Sequence, residues 1–138
     1  MGTRSTTRVV CGNTTLVVLY RQFDGYISGH GAELAAFLNT QRLTDVTPFR
    51  RSAGEGKVWS NGPGCLAAQL VAHFKKGPGG IYIAEPSNWE EYNYTVEVGE
   101  YTNAIRVKVH VGGEPNAPVF DGTLAEFTAY VANPVEDD

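Results

Sequence analysis

Glu91-Tyr92-Asn93-Tyr94-Thr95-Val96-Glu97-Val98-Gly99-Glu100-Tyr101-Thr102-Asn103-Ala104-Ile105-Arg106-Val107-Lys108-Val109-His110-Val111 decides the fold. In residues 91–98, Tyr92, Tyr94, Val96 and Val98 point one way and Asn93, Thr95 and Glu97 the other. In residues 104–111, Ile105, Val107, Val109 and Val111 oppose Arg106, Lys108 and His110 in the same way. Strict alternation marks a strand with one buried face and one solvated face. Two such runs around the turn at 99–103 predict an antiparallel hairpin. A symmetric turn sets Glu97 opposite Arg106.

Outward from this hairpin, residues 7–11 and 14–21 read as two more strands, closed by Gly12-Asn13. Leu16-Val17-Val18-Leu19 is apolar at every position, which predicts burial on both faces. Residues 32–39 and 64–76 read as helices; the second has apolar residues all around its axis, so burial is expected. Residues 81–84 form a short strand and Val119-Phe120 a further edge strand. Thr123 and Glu126 have the spacing of a capping box that opens a last amphipathic helix, stopped at Asn133-Pro134. Residues 41–61 show no period. The expected order is β-β-α-α-β-β-β-(β)-α: an α+β, two-layer single domain spanning 1–138. Its sheet is mainly antiparallel, two hairpins plus the edge strand, with three helices on one face. Residues 1–6 and 134–138 are expected to fray.

A chain of 138 residues is one domain by length, and 42% apolar with 19% charged residues is ordinary for a soluble globular protein. Eleven Lys and Arg against fifteen Asp and Glu give a net charge of −4, which argues against a nucleic-acid polymer as partner. No apolar run approaches a membrane span. Cys11 and Cys65 are too few for a disulfide scaffold, which points to reduced thiols and a cytoplasmic setting. His30, His73 and His110 have no metal-ligand spacing, and no cofactor motif is present.

Chemistry concentrates in Tyr20-Arg21-Gln22-Phe23-Asp24-Gly25-Tyr26-Ile27-Ser28-Gly29-His30-Gly31, a glycine-rich link from a strand to a helix. Loops of this composition carry ligands, because glycine lets the backbone approach a partner closely. Arg21, Asp24 and His30 could form a charged cluster, with Asp24 orienting the imidazole and His30 acting as acid, base or donor. Turn chemistry explains the same residues without a ligand: Asp24-Gly25 as a tight turn, His30 as the opening of a helix. Gly62-Pro63-Gly64 opens the second helix and offers an anion site at a positive dipole end, or simply a turn. Cys65, Gln69 and His73 share one face of that helix. Cys65 and His73 lie about 12 Å apart, too far for a nucleophile–base pair. A buried thiol and a core histidine are the plainer reading. Arg42, Arg50, Arg51 and Lys57 make 41–61 a basic loop in an acidic chain.

The Tyr20–Gly31 motif, with Asn61-Gly62-Pro63-Gly64-Cys65-Leu66-Ala67-Ala68-Gln69-Leu70-Val71-Ala72-His73-Phe74, Gly80-Ile81-Tyr82 and Glu91-Tyr92-Asn93-Tyr94, resembles a family of small uncharacterised proteins of bacteria, archaea and their phages. Pro commonly stands in that family where this chain has Ile27, and Met where it has Pro63. The resemblance implies a mobile-element context, including action against host defence by analogy, and no mechanism.

These readings lead to a non-enzymatic binding protein for a small anionic ligand, a nucleotide being one that fits. Its site would lie where residues 24–31 and 62–65 converge: Arg21, Asp24, Gly25, Tyr26, Gly29, His30, Gly31, Gly62, Gly64 and Cys65, with Arg50, Arg51 and Lys57 adding positive charge. In a phage such a protein would sequester a host defence signal. Two alternatives are a hydrolase or nuclease acting on a nucleotide with His30 and Asp24, and a protein-interaction inhibitor using the acidic tail or the polar sheet face. Self-association, most simply as a homodimer, is expected through the Tyr92/Tyr94 strand and the Val119-Phe120 edge.

Overall fold

A computed structural model describes residues 2–44, 52–99 and 104–134. β1 (Ser5–Cys11) and β2 (Thr14–Arg21) form a hairpin. One π-helical turn (Ile27–Gly31) leads into α1 (Ala32–Asn39). Then follow β3 (Gln41–Thr44), β4 (Val58–Asn61), α2 (Gly62–Phe74), β5 (Ile81–Ile83), β6 (Tyr92–Val98), β7 (Ile105–Val111), β8 (Phe120–Thr123) and α3 (Leu124–Ala132). Six strands make one sheet in the order β5-β2-β1-β6-β7-β8, and β3 and β4 make a separate parallel pair. In the main sheet only β1 and β6 run parallel; the other neighbours are antiparallel. The domain is α+β with a mainly antiparallel sheet, as the alternation predicts.

The core lies between one sheet face and the helices. Val9, Leu19, Tyr94, Val96, Val107 and Val109 come from the strands, Leu34 and Leu38 from α1, Leu66 and Leu70 from α2, and Phe127 from α3. Thr123 accepts from the Glu126 N–H and Glu126 accepts from the Thr123 N–H, so the expected capping box opens α3. Glu97 stands opposite Arg106 in the β6–β7 register. Its ion pair, however, is diagonal, to Lys108 at 3.0 Å, while Arg106 reaches Asp121 of β8 at 3.1 Å. Long side chains span diagonal positions easily.

Several expectations are corrected. Ser5 and Thr6, read as a frayed end, are fully buried rungs of β1, held between β2 and β6. Hydroxyl residues gave no apolar signal there, and Thr6 is satisfied instead by donating to Asn93 Oδ1 at 2.6 Å. β2 is not buried on both faces along its whole length. The register jumps so that Val9 faces Val17 and Val10 faces Thr15, which leaves Leu16 in a bulge, 39% exposed. α2 starts two residues earlier than expected and is amphipathic, with Ala68, Ala72 and His73 exposed. Short strands β3 and β4 lie within 41–61, paired with each other rather than with the main sheet. β6 is an interior strand and Tyr94 is fully buried, so the Tyr92/Tyr94 strand is no exposed edge for a second copy; β8 is an edge, and the adjoining Val119 is 53% exposed.

The second sheet face is partly covered by residues 84–91. Arg8 donates to the Pro86 carbonyl at 2.8 Å, the Asn88 carbonyl at 2.7 Å and Thr6 Oγ1 at 2.9 Å. Its guanidinium stacks over Trp89 at 4.3 Å. Asn93 holds the same segment through the Glu90 N–H and carbonyl.

At the other end of β1, a Cβ on Gly25 would stand 2.6 Å from Ser5 Cβ and 2.9 Å from backbone carbon of Arg4. At Gly113 nothing lies within 4 Å. Gly25→Ala is therefore expected to destabilise the fold by about 2 kcal/mol or more through overpacking, and Gly113→Ala by under about 0.5 kcal/mol, as read by urea denaturation.

Candidate functional site

The strand-to-helix motif turns inward. The Gly25 N–H donates to the Thr3 carbonyl at 2.8 Å, and the Tyr94 hydroxyl donates to the Gly25 carbonyl at 2.7 Å. A Cβ on Gly29 would meet the Asp24 carbonyl at 2.6 Å and the ring of Tyr26, and Gly31 lies against the Tyr94 ring. These glycines admit β1 and neighbouring side chains, which accounts for them without a ligand. Asp24 adopts φ 61°, a turn conformation that Asp tolerates, and is exposed. It touches His30 through the backbone, its carbonyl accepting from the His30 N–H at 2.8 Å.

The imidazole of His30 is 1% exposed. Nδ1 lies 3.0 Å from Arg21 Nη1 and Nε2 lies 2.6 Å from Thr7 Oγ1. Arginine can only donate, so Nδ1 is the acceptor, and the proton of a neutral ring sits on Nε2, donating to Thr7. Burial first, and the Arg21 charge second, push its pKa down to about 3. Phe74 and Tyr94 enclose the ring, with centroids at 4.8 and 5.1 Å. Arg21 and Thr7 therefore orient this imidazole in the role expected of Asp24, and His30 is neutral with both nitrogens engaged.

Arg21 carries the motif to the surface. Its Nε donates to the Phe23 carbonyl at 2.6 Å, and its two terminal nitrogens grip Glu33 of α1 at 3.0 and 3.3 Å. The Arg21 side chain is 16% exposed and that of Glu33 is 52% exposed. Beside this pair opens a cleft of about 370 Å³, walled by Phe23, His73, Phe74 and Lys76 and by the turn 77–80. Gly77, Gly79 and Gly80 have φ of 148°, 76° and 76°, a range that favours glycine. A Cβ on Gly77 or Gly80 would meet nothing within 4 Å, so backbone is bare toward solvent there. His73 packs against Phe37 with ring centroids at 4.8 Å, and is exposed where a core histidine was the plainer expectation. Partial burial and Lys76 hold its pKa below the usual histidine value, with Glu33 pulling the other way.

The two glycine-rich stretches do not converge. It is the C-terminal residue of α2, Phe74, that packs its ring against His30. Gly62 stands twelve residues earlier along the helix, about 18 Å away at 1.5 Å per residue. Gly62, Gly64 and Cys65 thus lie at the far end of α2; Cys65 receives a long contact from Gln69 at 3.8 Å. Lys57 donates to the Asn39 carbonyl at the C-terminal end of α1, away from the Arg21–Glu33 end. Arg50 and Arg51 lie outside the described residues. Among the described residues no group of three His, Cys, Asp or Glu could hold a metal ion, and no helix is long and apolar enough to cross a membrane.

Sequence reasoning missed Glu33 as the ion-pair partner of Arg21, and Lys76 and the turn 77–80 as walls of the cleft beside it. In the sequence the glycines and proline of this turn mark only the end of a helix. The turn meets Arg21 because β5 pairs antiparallel with β2, setting Ile81 opposite Arg21, and three-residue β5 carries no sign of its partner. Compared with family models, curated proteins and solved structures, the chain matches none.

Because His30 binds no proton in the folded state at pH 5 but takes one when unfolded, stability falls as pH drops from about 6.5 toward 3. Between pH 7 and 5 this one group accounts for about 2 kcal/mol. Urea denaturation at the two pH values is expected to show that loss in the wild type and a loss smaller by about that amount in His30→Gln. Equal losses would show that His30 does not titrate between the two states.

Proposed function

We propose that this protein is a non-enzymatic binding module for a small anionic ligand, held in the cleft between Arg21, Lys76 and the turn 77–80. The observation that carries the reading is the conjunction of two cations with bare glycine backbone at one opening. Arg21 offers a planar donor fork fixed in place by Phe23 and His30, and Lys76 offers a mobile point charge. Glycine turns of this kind bring backbone N–H groups close to phosphate-like groups. The apolar walls Phe23 and Phe74 leave room for a ring, which suits a nucleotide.

Binding is favoured over hydrolysis by the state of His30. A nuclease or hydrolase using His30 and Asp24 needs an accessible imidazole that shuttles protons, whereas this ring is buried, neutral and bonded at both nitrogens. In the mobile-element context that the motif resemblance implies, the module would sequester a host signalling nucleotide.

Calorimetry against mono-, di- and cyclic nucleotides tests the reading. At least one is expected to bind, with Lys76→Ala weakening it about three- to ten-fold, more so at low ionic strength. A folded sample that binds none of them, or a Lys76→Ala variant that binds equally well, contradicts it.

A further inference from the structure

The Arg21–Glu33 contact has the geometry of a ligand already in place. Arginine has five N–H donors. Nε–H is spent on the Phe23 carbonyl, and one Nη1 hydrogen on His30 Nδ1. A second Nη1 hydrogen and one from Nη2 are directed at the two carboxylate oxygens of Glu33, at 3.0 and 3.3 Å. The guanidinium is thus anchored by protein groups on its inner side. Its outer, bidentate edge is covered by a carboxylate that is 52% exposed on the first turn of a helix. The carboxylate half of this pair is open to solvent, so releasing it leaves a hydrated carboxylate and not a buried charge. The fork that holds it also fits two oxygens of a phosphate group.

We infer that Glu33 is an internal competitor for the cleft, standing in for a phosphate group of the ligand and swinging out when that group binds Arg21. This rests on the anion-binding reading above and specifies the ligand: a phosphate ester presenting two oxygens to Arg21 and its further charge to Lys76. Release of Glu33 leaves Arg21 in position, because the Phe23 and His30 bonds do not depend on it. A phosphate dianion can displace the carboxylate because it carries more charge and because Lys76 lines the same opening. A ligand bearing no phosphate, such as a neutral nucleoside, would not open the contact.

The experiment titrates inorganic phosphate into the wild type, Glu33→Gln and Glu33→Ala, following the Arg21 Nε–H cross-peak by NMR and the heat by calorimetry. Both variants are checked for folding by the dispersion of the same spectra, and the use of two guards against one misfolding. Phosphate is expected to shift the Arg21 signal in all three proteins, with Kd about five-fold lower in both variants than in the wild type. Binding to the wild type that is equal or weaker in the variants overturns the competitor role and leaves the anion site standing. No binding to any of the three overturns both. Binding that leaves the Arg21 signal unmoved overturns the assignment to this fork.

Discussion

The imidazole of His30 is bonded at both nitrogens inside the core, and that pair of bonds ties the strand-to-helix motif to both strands of the β1–β2 hairpin. Nε2 reaches Thr7 on the central strand β1, Nδ1 takes a hydrogen bond from Arg21 at the end of β2, and the ring lies between Phe74 at the end of α2 and Tyr94 on β6. A buried polar ring is costly unless both nitrogens find partners. Here they do, and the neutral ring is the form that fits, because protonation would place a second positive charge beside Arg21 with no buried anion to offset it. The π-helical turn delivers His30 into the core, while Gly25 lets the backbone close over β1 and Gly29 lets it fold back on Asp24 and Tyr26.

Through Arg21 this buried node sets the surface chemistry. The guanidinium is fixed on its inner side by His30 and Phe23, so its outer edge faces Glu33 and the cleft in one orientation. Pre-positioning of this kind lowers the entropic cost of gripping an oxyanion. Lys76 and the turn 77–80 complete the opening because α2 ends there and β5 returns along β2. The C-terminal end of a helix does not itself attract an anion, so the charge in this cleft rests on side chains rather than on the helix dipole.

Much of the fold was legible because its signals are local. The alternation in 91–98 and 105–111 reports directly which side chains face the core, and the Thr123 and Glu126 spacing reports its own capping box. Long-range pairing left no such mark. The parallel contact of β1 with β6 joins residues far apart in the chain, and the hydroxyls of Ser5 and Thr6 hid their burial from an apolar count. The candidate site divided in the same way. Arg21 stood out from composition, but His30, read as a candidate acid or base, is a core residue. The glycines of the motif serve close packing, the ion-pair partner of Arg21 comes from α1, and the walls of the cleft come from the end of α2 and the turn after it. The helix opening at Gly62, singled out by its glycines, lies at the wrong end of α2 because a helix keeps its two ends apart by its own length.

A neutral, Nε2-protonated His30 positions Arg21 from inside the core. Nitrogen-15 NMR of the imidazole across pH 7 to 4 tests it most directly. Two well-separated nitrogen shifts are expected, with the proton on Nε2 and no titration down to pH 4. Averaged shifts that move to the imidazolium position with a midpoint near the ordinary histidine value of about 6.5 would contradict it.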